Sequence, residues 1–584
     1  MAPGLDMDQV KATLERELPL GLSTSTMLQI SSKLTAAYEE GLQKSTASML
    51  ASHIYHLPSG YEKGYFLSVD LGGSTLRVAL VQLVGHKDAV RRGGALTVDQ
   101  PKPMSIVEIK TWGGVQIEHL KTLTGDAFFD WIAVRIREVV VNKFGTKQTP
   151  ILPLGLSWSF PIESTSIDSG KLQGMGKGFR VAEGLLGTDL KAHFMNAFSR
   201  QDLNISLEAI INDSLAALLS HAYVSPATRC ALILGTGTNA AVSLPLSMLP
   251  NSKLHSNQPA EAREVLMNTE LSMYGKDIYP VTKWDDELDA AMPRPGFQPL
   301  EYLIGGGYMG EIGRRLIVEL RSQGLFQNMP TIWEKPYTLP TEVLANMEEL
   351  RDENIPDNYN KISSTLPDLD LPVEDAMTLR KIADHISTRA ANYCAIALHA
   401  MIKLRERGGE SPSSHPEKNI VPIAFVGSVM EKYPRLLARS QQALDKLTEW
   451  TPESKDDQLR IVLEFAPESA IFGAAVSVAA ALEKKLLNAS SSGVAAPTSL
   501  PHTERSSNAS TLLQPGSGME EENKSLDSMM TNQKGAGEPQ ASEQPFGGAE
   551  EAGTSSPRKQ PFWLRLKTFF HDIFHKMFSK KRQA

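Results

Sequence analysis

The stretch at residues 66–83, FLSVDLGGSTLRVALVQL, places a carboxylate and two glycines between two apolar runs that read as strands. Gly72 and Gly73 lack side chains, so the backbone N–H groups of this turn can close around an anion. Asp70 ends the first strand, where a carboxylate beside bound phosphates could hold Mg²⁺. The competing interpretation is an ordinary β-hairpin with a glycine turn.

A second glycine turn, GTGTNA at residues 235–240, follows the predicted strand Cys230–Leu234. It satisfies the G-x-G-x-x-A dinucleotide signature, but residues 241–245 read as a strand, whereas that signature must open a helix. Strand, glycine turn and strand is also the arrangement at Asp70. We therefore expect a duplicated β-rich lobe with phosphates bound between the copies. The sequence has no G-x-x-x-x-G-K-[ST], so it is not a P-loop nucleotide-binding protein.

Four further polar residues stand beside irregular sequence. Asp213 lies between a strand-like run and the helix-like run LAALLSHA, where its alternative role is a helix N-cap. Lys177 lies in the glycine-rich segment 170–179, which is either a flexible loop or one that contacts a ligand. Glu270 and Glu301 lie beside short loops, and surface acids are usually only solvated charges.

Apolar periodicity predicts the elements that must position these residues. Helices are predicted at residues 8–18, 25–51, 125–144, 375–405 and 470–487. Further strands are predicted at residues 106–110, 153–161, 421–426 and 461–465.

Composition bounds the class of protein. The chain has 584 residues, too many for one core, and a formal net charge of -8, which argues against nucleic acid as a partner. Cys230 and Cys394 are the only cysteines, which fits a reducing compartment without a disulfide framework. The first 21 residues lack the continuous apolar run of a secretory signal, and no apolar run is long enough to span a bilayer.

The C-terminal region changes character twice. Residues 488–556 are rich in Ser, Gly, Pro, Glu and Gln, which predicts a disordered linker. Residues 557–584 contain eight Lys or Arg against one acid, and their apolar residues return at helical spacing. Such a basic amphipathic helix suits an anionic membrane surface. Nuclear import through residues 580–582, and docking on a partner or on the chain's own body, stay open.

Nine motifs occur in order within residues 10–487: FLSVDLGGSTLRV, LGLSWSFP, GKLQGMGKGF, NDSLAAL, LGTGTNAAV, NTELSMYG, YLIGGGYMGE, STRAANYCA and FVGSV. Together they resemble the hexokinase family of sugar kinases. The resemblance implies an α/β, two-lobed, actin-like ATPase fold of the ribonuclease H-like type, with sugar and nucleotide in the cleft. The expected division is a small-lobe part at 10–220 and a large-lobe part at 221–487, followed by the linker and the tail helix.

The resemblance also implies roles for individual residues. Asp213 matches the family's catalytic base. Positions that hold sugar hydroxyls in the family match Ser159, Lys177, Asn212, Asn239, Glu270 and Glu301. Nucleotide-binding loops match Asp70, Gly72, Gly73, Ser74, Gly235, Thr236, Gly237, Gly427 and Ser428. The implied cofactor is Mg²⁺ with ATP, held near Asp70 and Asp213.

The sequence departs from the family pattern at both ligand sites. A sugar-contacting threonine is replaced by Gly176, and the usual Gly-Thr after the catalytic aspartate is Ala216-Ala217. The adenosine loop's Asp-Gly-Ser reads Val-Gly-Ser at 426–428, and the last turn, usually D-G-S-G-x-G-A-A, reads ESAIFGAA at 468–475. Lost glycines put ordinary ATP affinity in doubt. The motifs are similar to the divergent fungal branch that includes N-acetylglucosamine kinases.

The implied activity is ATP-dependent phosphorylation of the 6-hydroxyl of a hexose, and the similarity to that fungal branch implies N-acetylglucosamine as the sugar. The hypothesis for the preference is that Gly176 leaves room for a bulkier substrate. Two alternatives are a broad glucose or fructose hexokinase and a catalytically weak, hexokinase-like regulator of carbon sensing. The expected location is cytoplasmic, with membrane association through the tail or a nuclear location left open.

Overall fold

The computed structural model describes residues 7–18, 21–85, 102–145, 150–181, 183–256, 258–326, 328–350, 371–409, 419–451 and 458–491. Its strands are β1 Leu50–Ala51, β2 Gly64–Leu71, β3 Thr75–Leu83, β4 Met104–Gly113, β5 Leu152–Trp158, β6 Ile162–Ser166, β7 Ser169–Leu172, β8 Ile205–Ile211, β9 Cys230–Leu234, β10 Thr238–Pro245, β11 Glu264–Asn268, β12 Ile420–Val426 and β13 Arg460–Phe465.

The α-helices are α1 Met7–Glu17, α2 Thr24–Lys44, α3 Val115–Thr122, α4 Asp126–Phe144, α5 Leu190–Arg200, α6 Asp213–Val224, α7 Lys283–Ala290, α8 Pro299–Ile304, α9 Met309–Ser322, α10 Thr341–Glu349, α11 Val373–Arg407, α12 Ser428–Lys432, α13 Leu436–Leu447 and α14 Ser469–Ser491. None of the described helices has both the length and the apolar composition that crossing a bilayer requires.

Two sheets repeat one strand plan. The first has the order β4-β3-β2-β5-β8, and the second has the order β1-β11-β10-β9-β12-β13. In each, three consecutive strands pair antiparallel and two later strands add in parallel beside the first of them. The two-lobed α/β architecture expected from the sequence is confirmed, and the expected duplication is visible in the shared strand order.

Helices α6 and α14 pack against each other between the two sheets. Helix α14 contacts β2, β5 and β8, and α6 contacts β9 and β10. The backbones meet closely because Gly473 has no side chain: a Cβ atom there would lie 2.1 Å from the carbonyl oxygen of Ala216. Gly155 on β5 is equally constrained, since its Cβ would lie 2.2 Å from the carbonyl oxygen of Ala474.

Helix α2 belongs to the core of the second sheet. The side-chain oxygen of Ser23 accepts a hydrogen bond from the Thr26 N–H at 3.1 Å and so caps the helix start. Leu34 and Tyr38 are fully buried and α2 packs on the long helix α11. After β1 the chain continues into the first sheet. Helix α14, the last helix of the described residues, packs on that same sheet.

Most elements predicted from sequence periodicity begin and end within a few residues of their positions in the structure, but one predicted helix is too long. The helix predicted at 25–51 ends at Lys44, and Leu50–Ala51 instead forms β1, which pairs with β11. Short-range periodicity cannot distinguish the end of the helix from this strand, because Leu50–Ala51 pairs with a strand more than 200 positions away. The predicted linker at 488–556 lies almost wholly outside the described residues, and the tail helix at 557–584 entirely so.

Candidate active site

Both glycine turns occupy the same place in their sheets, between the first and second antiparallel strands. In the first, the Gly72 N–H donates to the Thr75 carbonyl at 3.0 Å, and in the second the Gly235 N–H donates to the Gly237 carbonyl at 2.9 Å. The strand β10 that follows confirms the rejection of a dinucleotide fold, because that fold needs a helix there.

A third glycine run supports the second turn from behind. The N–H of Gly306 donates to the Gly235 carbonyl, and that of Gly307 donates to the Thr236 carbonyl, both at 2.9 Å. A Cβ atom at Gly306 would lie 3.0 Å from the Gly235 oxygen. The turn at 235–237 is therefore held by backbone contacts that larger residues at 306 would disturb.

Asp213 is the first residue of α6 and does not act as its cap. Asn212 is the N-cap, and its side-chain oxygen accepts from the Ser214 N–H at 2.8 Å. Asp213 Oδ1 accepts from the same N–H at 2.8 Å. The neighbouring asparagine thus satisfies the helix end, and the Asp213 carboxylate is only partly occupied by that role.

Polar side chains join α6 to the strands of the second sheet through one long contact, 3.5 Å from the Ser214 hydroxyl to Asn268 Oδ1. The Ser214 hydroxyl donates to Asn212 at 2.6 Å, and the Asn239 amide donates to Asn268 Oδ1 at 2.9 Å. The Asn268 amide in turn donates to Glu270 Oε1 at 2.8 Å. Glu270 itself has a left-handed backbone with φ 50°, which turns the chain sharply after β11.

Glu301 is placed by the second glycine turn. Its Oε2 accepts from the Thr238 N–H at 3.0 Å, and a Cβ atom at Gly237 would lie 2.4 Å from that oxygen. The glycine is therefore needed for the carboxylate to reach the turn. The Tyr308 hydroxyl lies 3.5 Å from Oε1.

Lys177 brings its loop to the first glycine turn. The residue has φ 50°, its Nζ donates to the Ser159 carbonyl at 3.2 Å, and its ammonium lies 5.1 Å from the Phe160 ring centroid. A Cβ atom at Gly73 would lie 2.8 Å from the Lys177 Cδ. The segment 173–178 is thus a loop whose lysine is anchored beside the turn.

The carboxylates affect one another electrostatically. Burial raises the pKa of Asp213, the Lys177 ammonium lowers it, and the Asp70 charge raises it again. Burial also raises the pKa of Glu270 and of Glu301, and a neighbouring carboxylate raises each further, Asp213 for Glu270 and Glu270 for Glu301. The Lys177 ammonium lowers the pKa of Glu301. Asp213, Glu270 and Glu301 therefore share one poorly solvated region, and the exposed Lys177 side chain lies close enough to act on Asp213 and Glu301.

Asp70 is paired with Arg77 across the β2–β3 hairpin. The Nε and Nη2 atoms of Arg77 both donate to Asp70 Oδ2, at 3.0 and 2.8 Å. Arg77 Nη1 donates to Glu468 at 2.7 Å, where the chain enters α14 with φ 50°. One guanidinium thus joins the first glycine turn to the start of the helix between the sheets.

The loop that the resemblance places toward adenosine also depends on a glycine. Gly427 has φ +115°, and a Cβ atom there would lie 2.4 Å from the Leu234 carbonyl oxygen. Ser428 lies against Gly235, whose Cβ would be 3.7 Å from the Ser428 hydroxyl. Gly427 and Ser428 therefore adjoin the second glycine turn. In α14, Ile471 is buried where the family usually has glycine.

A divalent cation fits this region only together with a ligand's own oxygens. Among the described residues no cluster of three or more His, Cys, Asp or Glu could hold a metal alone. Asp70 and Asp213 are close enough for the charge of one to raise the pKa of the other. One or two carboxylates with substrate phosphates is the usual setting for Mg²⁺.

Comparison with known proteins identifies the family. Two models, each described as Hexokinase, match residues 13–223 and 229–480. The chain belongs to the hexokinase family. The Schwanniomyces occidentalis hexokinase is 28% identical over 82% of this chain and 94% of its own length. The Emericella nidulans hexokinase is 29% identical over 79% of this chain and 89% of its own.

A solved structure is similar to this chain over most of its length. The hexokinase from Schistosoma mansoni complexed with glucose superposes with a TM-score of 0.65 at 25% identity, covering 81% of this chain and 99% of that one. As a hexokinase-family protein, the chain is an ATP-dependent hexose kinase. The relatives do not distinguish N-acetylglucosamine from glucose as its sugar.

The structure brings the predicted polar residues to one region and adds several that sequence reasoning missed. Asn268 links Asn239 to Glu270, Arg77 pairs with Asp70, and Tyr308 approaches Glu301. All three missed residues lie within motifs already recognised, NTELS, DLGGSTLR and GGGYMG. These motifs were the signal in the sequence that could have pointed to the three residues. Which side chain contacts which acid depends on how the strands pair across the sheets.

Proposed function

We propose that this hexose kinase transfers the γ-phosphoryl group of ATP to the 6-hydroxyl of a hexose, with N-acetylglucosamine as its preferred sugar. The observation that carries the proposal is the convergence of the partly buried acids Asp213, Glu270 and Glu301 with Lys177 beside two glycine turns. Sugar hydroxyls need hydrogen-bond partners on several sides, and the backbone N–H groups of glycine turns can bind phosphates.

In the proposed mechanism Asp213 takes the proton of the attacking hydroxyl as its oxygen bonds to the γ-phosphorus and the bond to ADP breaks. Asn212, Asn239, Glu270, Glu301, Lys177 and Ser159 hold the other hydroxyls. Gly72, Gly73 and Ser74, with Gly235, Thr236 and Gly237, face the phosphates, and Gly427 and Ser428 lie toward the adenosine. Asp70, with Asp213 nearby, would hold Mg²⁺, which neutralises charge on the transferring phosphoryl group.

The sugar preference rests on open space in the loop before Lys177. A Cβ atom at Gly176 would meet nothing within 4 Å, and neither would one at Gly174. The side chain that normally contacts the sugar is missing, which leaves room beside the ligand for a 2-acetamido group. A broad glucose or fructose hexokinase is the nearest alternative.

The proposal is tested by measuring phosphorylation with Mg-ATP of N-acetylglucosamine, glucose and fructose and with no sugar, using Asp213→Asn as a control. We expect turnover of N-acetylglucosamine to exceed that of glucose and to disappear in the variant. Glucose turnover alone would make the protein a diverged glucose hexokinase. Sugar binding, measured by calorimetry, without turnover of any sugar would instead indicate a regulator. The departure of residues 468–472 from the family pattern would be consistent with that outcome.

The role of Gly176 is tested with Gly176→Thr against Gly176→Ala. Gly176 has φ +64°, so both variants carry backbone strain, on the order of 1–2 kcal/mol for alanine and more for the β-branched threonine. The ratio of kcat/KM for two sugars is taken within one variant, so this strain affects both sugars alike, and the two ratios compare the hydroxyl and methyl groups of threonine with alanine. We expect only Gly176→Thr to shift the kcat/KM ratio toward glucose, and equal ratios in the two variants would contradict the proposed basis of preference.

We further propose that residues 557–584 bind an anionic membrane surface. The support is the sequence alone: eight basic residues and one acid on a segment with helical apolar spacing. A cytoplasmic enzyme with a membrane-bound fraction is the expected distribution. Localisation of the full chain would distinguish this distribution from a nuclear location and from docking of the tail on a protein.

A further inference from the structure

Two serine hydroxyls on the first sheet are buried without a hydrogen-bond partner. Ser68 on β2 and Ser157 on β5 are both 0% exposed, and neither Oγ atom has a hydrogen-bond partner among the described residues. A buried polar group is normally satisfied by a protein group or by ordered water. The two hydroxyls therefore have hydrogen-bonding capacity that the fold itself does not use.

Core packing shows which face of the sheet Ser157 occupies. Leu154 and Leu156 on the same strand pack in the core that includes α4 and α5. Gly155, between them, faces α14, because a Cβ atom there would lie 2.2 Å from the Ala474 carbonyl oxygen. Successive residues of a strand alternate between its two faces. Ser157 therefore lies on the face that α14 covers.

Asp70 stands beside Ser157 on that face. The two residues are partners in the parallel pairing of β2 with β5, so their side chains project from the same face of strands about 5 Å apart. Arg77, which also reaches Glu468 at the start of α14, occupies only Oδ2 of the Asp70 carboxylate. Within the part of the chain that the structure describes, Oδ1 has no hydrogen bond. One carboxylate oxygen and one hydroxyl are therefore both available there.

Asp213 approaches the same end of β5. The Ser159 hydroxyl, two residues beyond Ser157, lowers the pKa of Asp213 through a hydrogen bond, whereas the Asp70 charge raises that pKa. Both effects act between near neighbours. Helix α6, which Asp213 begins, also contacts β5. Ser157 therefore lies at the strand end where the two carboxylates proposed to lie nearest Mg²⁺ converge.

We propose that the Ser157 hydroxyl holds a water ligand of the Mg²⁺ ion that accompanies the nucleotide. The inference rests on the proposed function. Mg²⁺ keeps several of its water ligands when one or two carboxylates and substrate phosphates bind it. A serine hydroxyl can accept a hydrogen bond from such a water and can donate one of its own. Ser157 is thus a positioning residue, because it acts on the metal through water and does not touch the transferring phosphoryl group.

Ser68 provides a matched control for Ser157. It is equally buried and its hydroxyl is equally without a partner among the described residues. Its partner across the strands is Gly155, where the α14 backbone lies against the sheet. Ser68 precedes Asp70 by two residues on β2, about 7 Å further from the strand end. Removing its hydroxyl therefore has the same local chemistry but takes place away from the carboxylates.

The test is a calorimetric titration of the full chain with ADP, once in excess Mg²⁺ and once with the metal removed by EDTA. The ratio of the two ADP affinities measures the contribution of the metal. We expect Ser157→Ala to lower this ratio about tenfold, because losing a group that supports a metal ligand typically weakens metal binding by roughly ten- to a hundredfold. The metal-free ADP affinity and the Tm should stay at the wild-type values. Ser157→Thr, which keeps the hydroxyl, and Ser68→Ala should both retain the wild-type ratio.

An unchanged ratio in Ser157→Ala would overturn the inference, because the hydroxyl would then be buried without serving the metal. An equal fall in Ser68→Ala and Ser157→Ala would also overturn it, since that result would indicate a general effect on the sheet. A wild type that binds ADP equally well with and without Mg²⁺ would instead contradict the proposed metal site itself, and the inference with it. The titrations need neither sugar nor turnover, so their result is independent of the proposed sugar preference.

Discussion

The helix cap and the proposed catalytic base are two neighbouring residues, Asn212 and Asp213. The Asn212 side chain caps α6 through the Ser214 N–H and hydroxyl, at 2.8 and 2.6 Å. Asp213 follows as the first helical residue, in a region where burial raises its pKa. A carboxylate that is not needed to cap the helix can lose and regain a proton without opening the helix end.

The raised pKa of Asp213 leads to a prediction about pH. A base must be ionised to act, so kcat/KM should fall as the pH drops through the pKa of Asp213, at a pH above the range of an ordinary aspartate. The sign for stability is the opposite. A carboxyl whose pKa is raised on folding binds its proton more tightly in the folded state, so its contribution to stability is lost as the pH rises through the folded value.

Asp213→Asn separates these two effects. We expect the rate to fall by roughly a hundred- to ten-thousand-fold. The Tm at neutral pH should not fall, because the substitution removes a poorly solvated charge whose burial is unfavourable. Activity is measured by a coupled kinase assay and Tm by calorimetry. A clear loss of Tm alongside the loss of rate would show that Asp213 is mainly a structural residue.

At the scale of elements, the proposed site is built on two copies of one sheet held together by a helix pair. Each sheet presents a glycine turn between its first two antiparallel strands. Helices α6 and α14 lie between the sheets, so the turns face a common region only while those helices pack at backbone distance. Gly473 and Gly155 make that distance available.

Gly473→Ala should therefore destabilise the protein through helix packing. The added Cβ would lie 2.1 Å from the Ala216 carbonyl oxygen, and a backbone atom cannot move aside as a flexible side chain can. We expect a loss on the order of 1–3 kcal/mol, measured as a fall in Tm. Gly21→Ala is the control, since a Cβ there meets nothing within 4 Å. Equal Tm values for the two variants would mean that the helices do not pack this closely in solution.

For the whole molecule, we expect the cleft between the two lobes to close around the sugar and exclude water. The partly buried acids already lie in poorly solvated surroundings, and closure would complete the region around the reacting hydroxyl. We expect ATP hydrolysis without sugar to be far slower than phosphoryl transfer with it. The measurement is ADP release with and without N-acetylglucosamine, and equal rates would contradict closure as the protection against hydrolysis.

The C-terminal tail should be separable from the chemistry. Deleting residues 557–584 should leave kcat and KM of the kinase unchanged and abolish binding to vesicles that contain anionic lipid, as measured by co-sedimentation. Vesicles of neutral lipid are the control and should bind neither form. Loss of kinase activity on deletion would indicate that the tail docks on the catalytic body instead.

The sequence alone determined the class of fold and the local setting of the site. Period-two and period-3.6 patterns located β2, β3, β9 and α11 because such patterns record which face of an element is buried. Glycine turns were recognised from composition, since a turn that needs close backbone approach excludes side chains. The order of motifs identified the family, which the comparisons confirmed.

Only the tertiary structure decided which polar groups meet. Arg77 pairs with Glu468 across 391 positions, and β1 pairs with β11 across more than 200. The N-cap of α6 is Asn212, which the sequence did not distinguish from the alternative of a cap at Asp213. Local sequence carries no record of such partners, because hydrogen bonds and charge interactions depend on distance in space, and distance in space follows from how the two sheets and their shared helices pack.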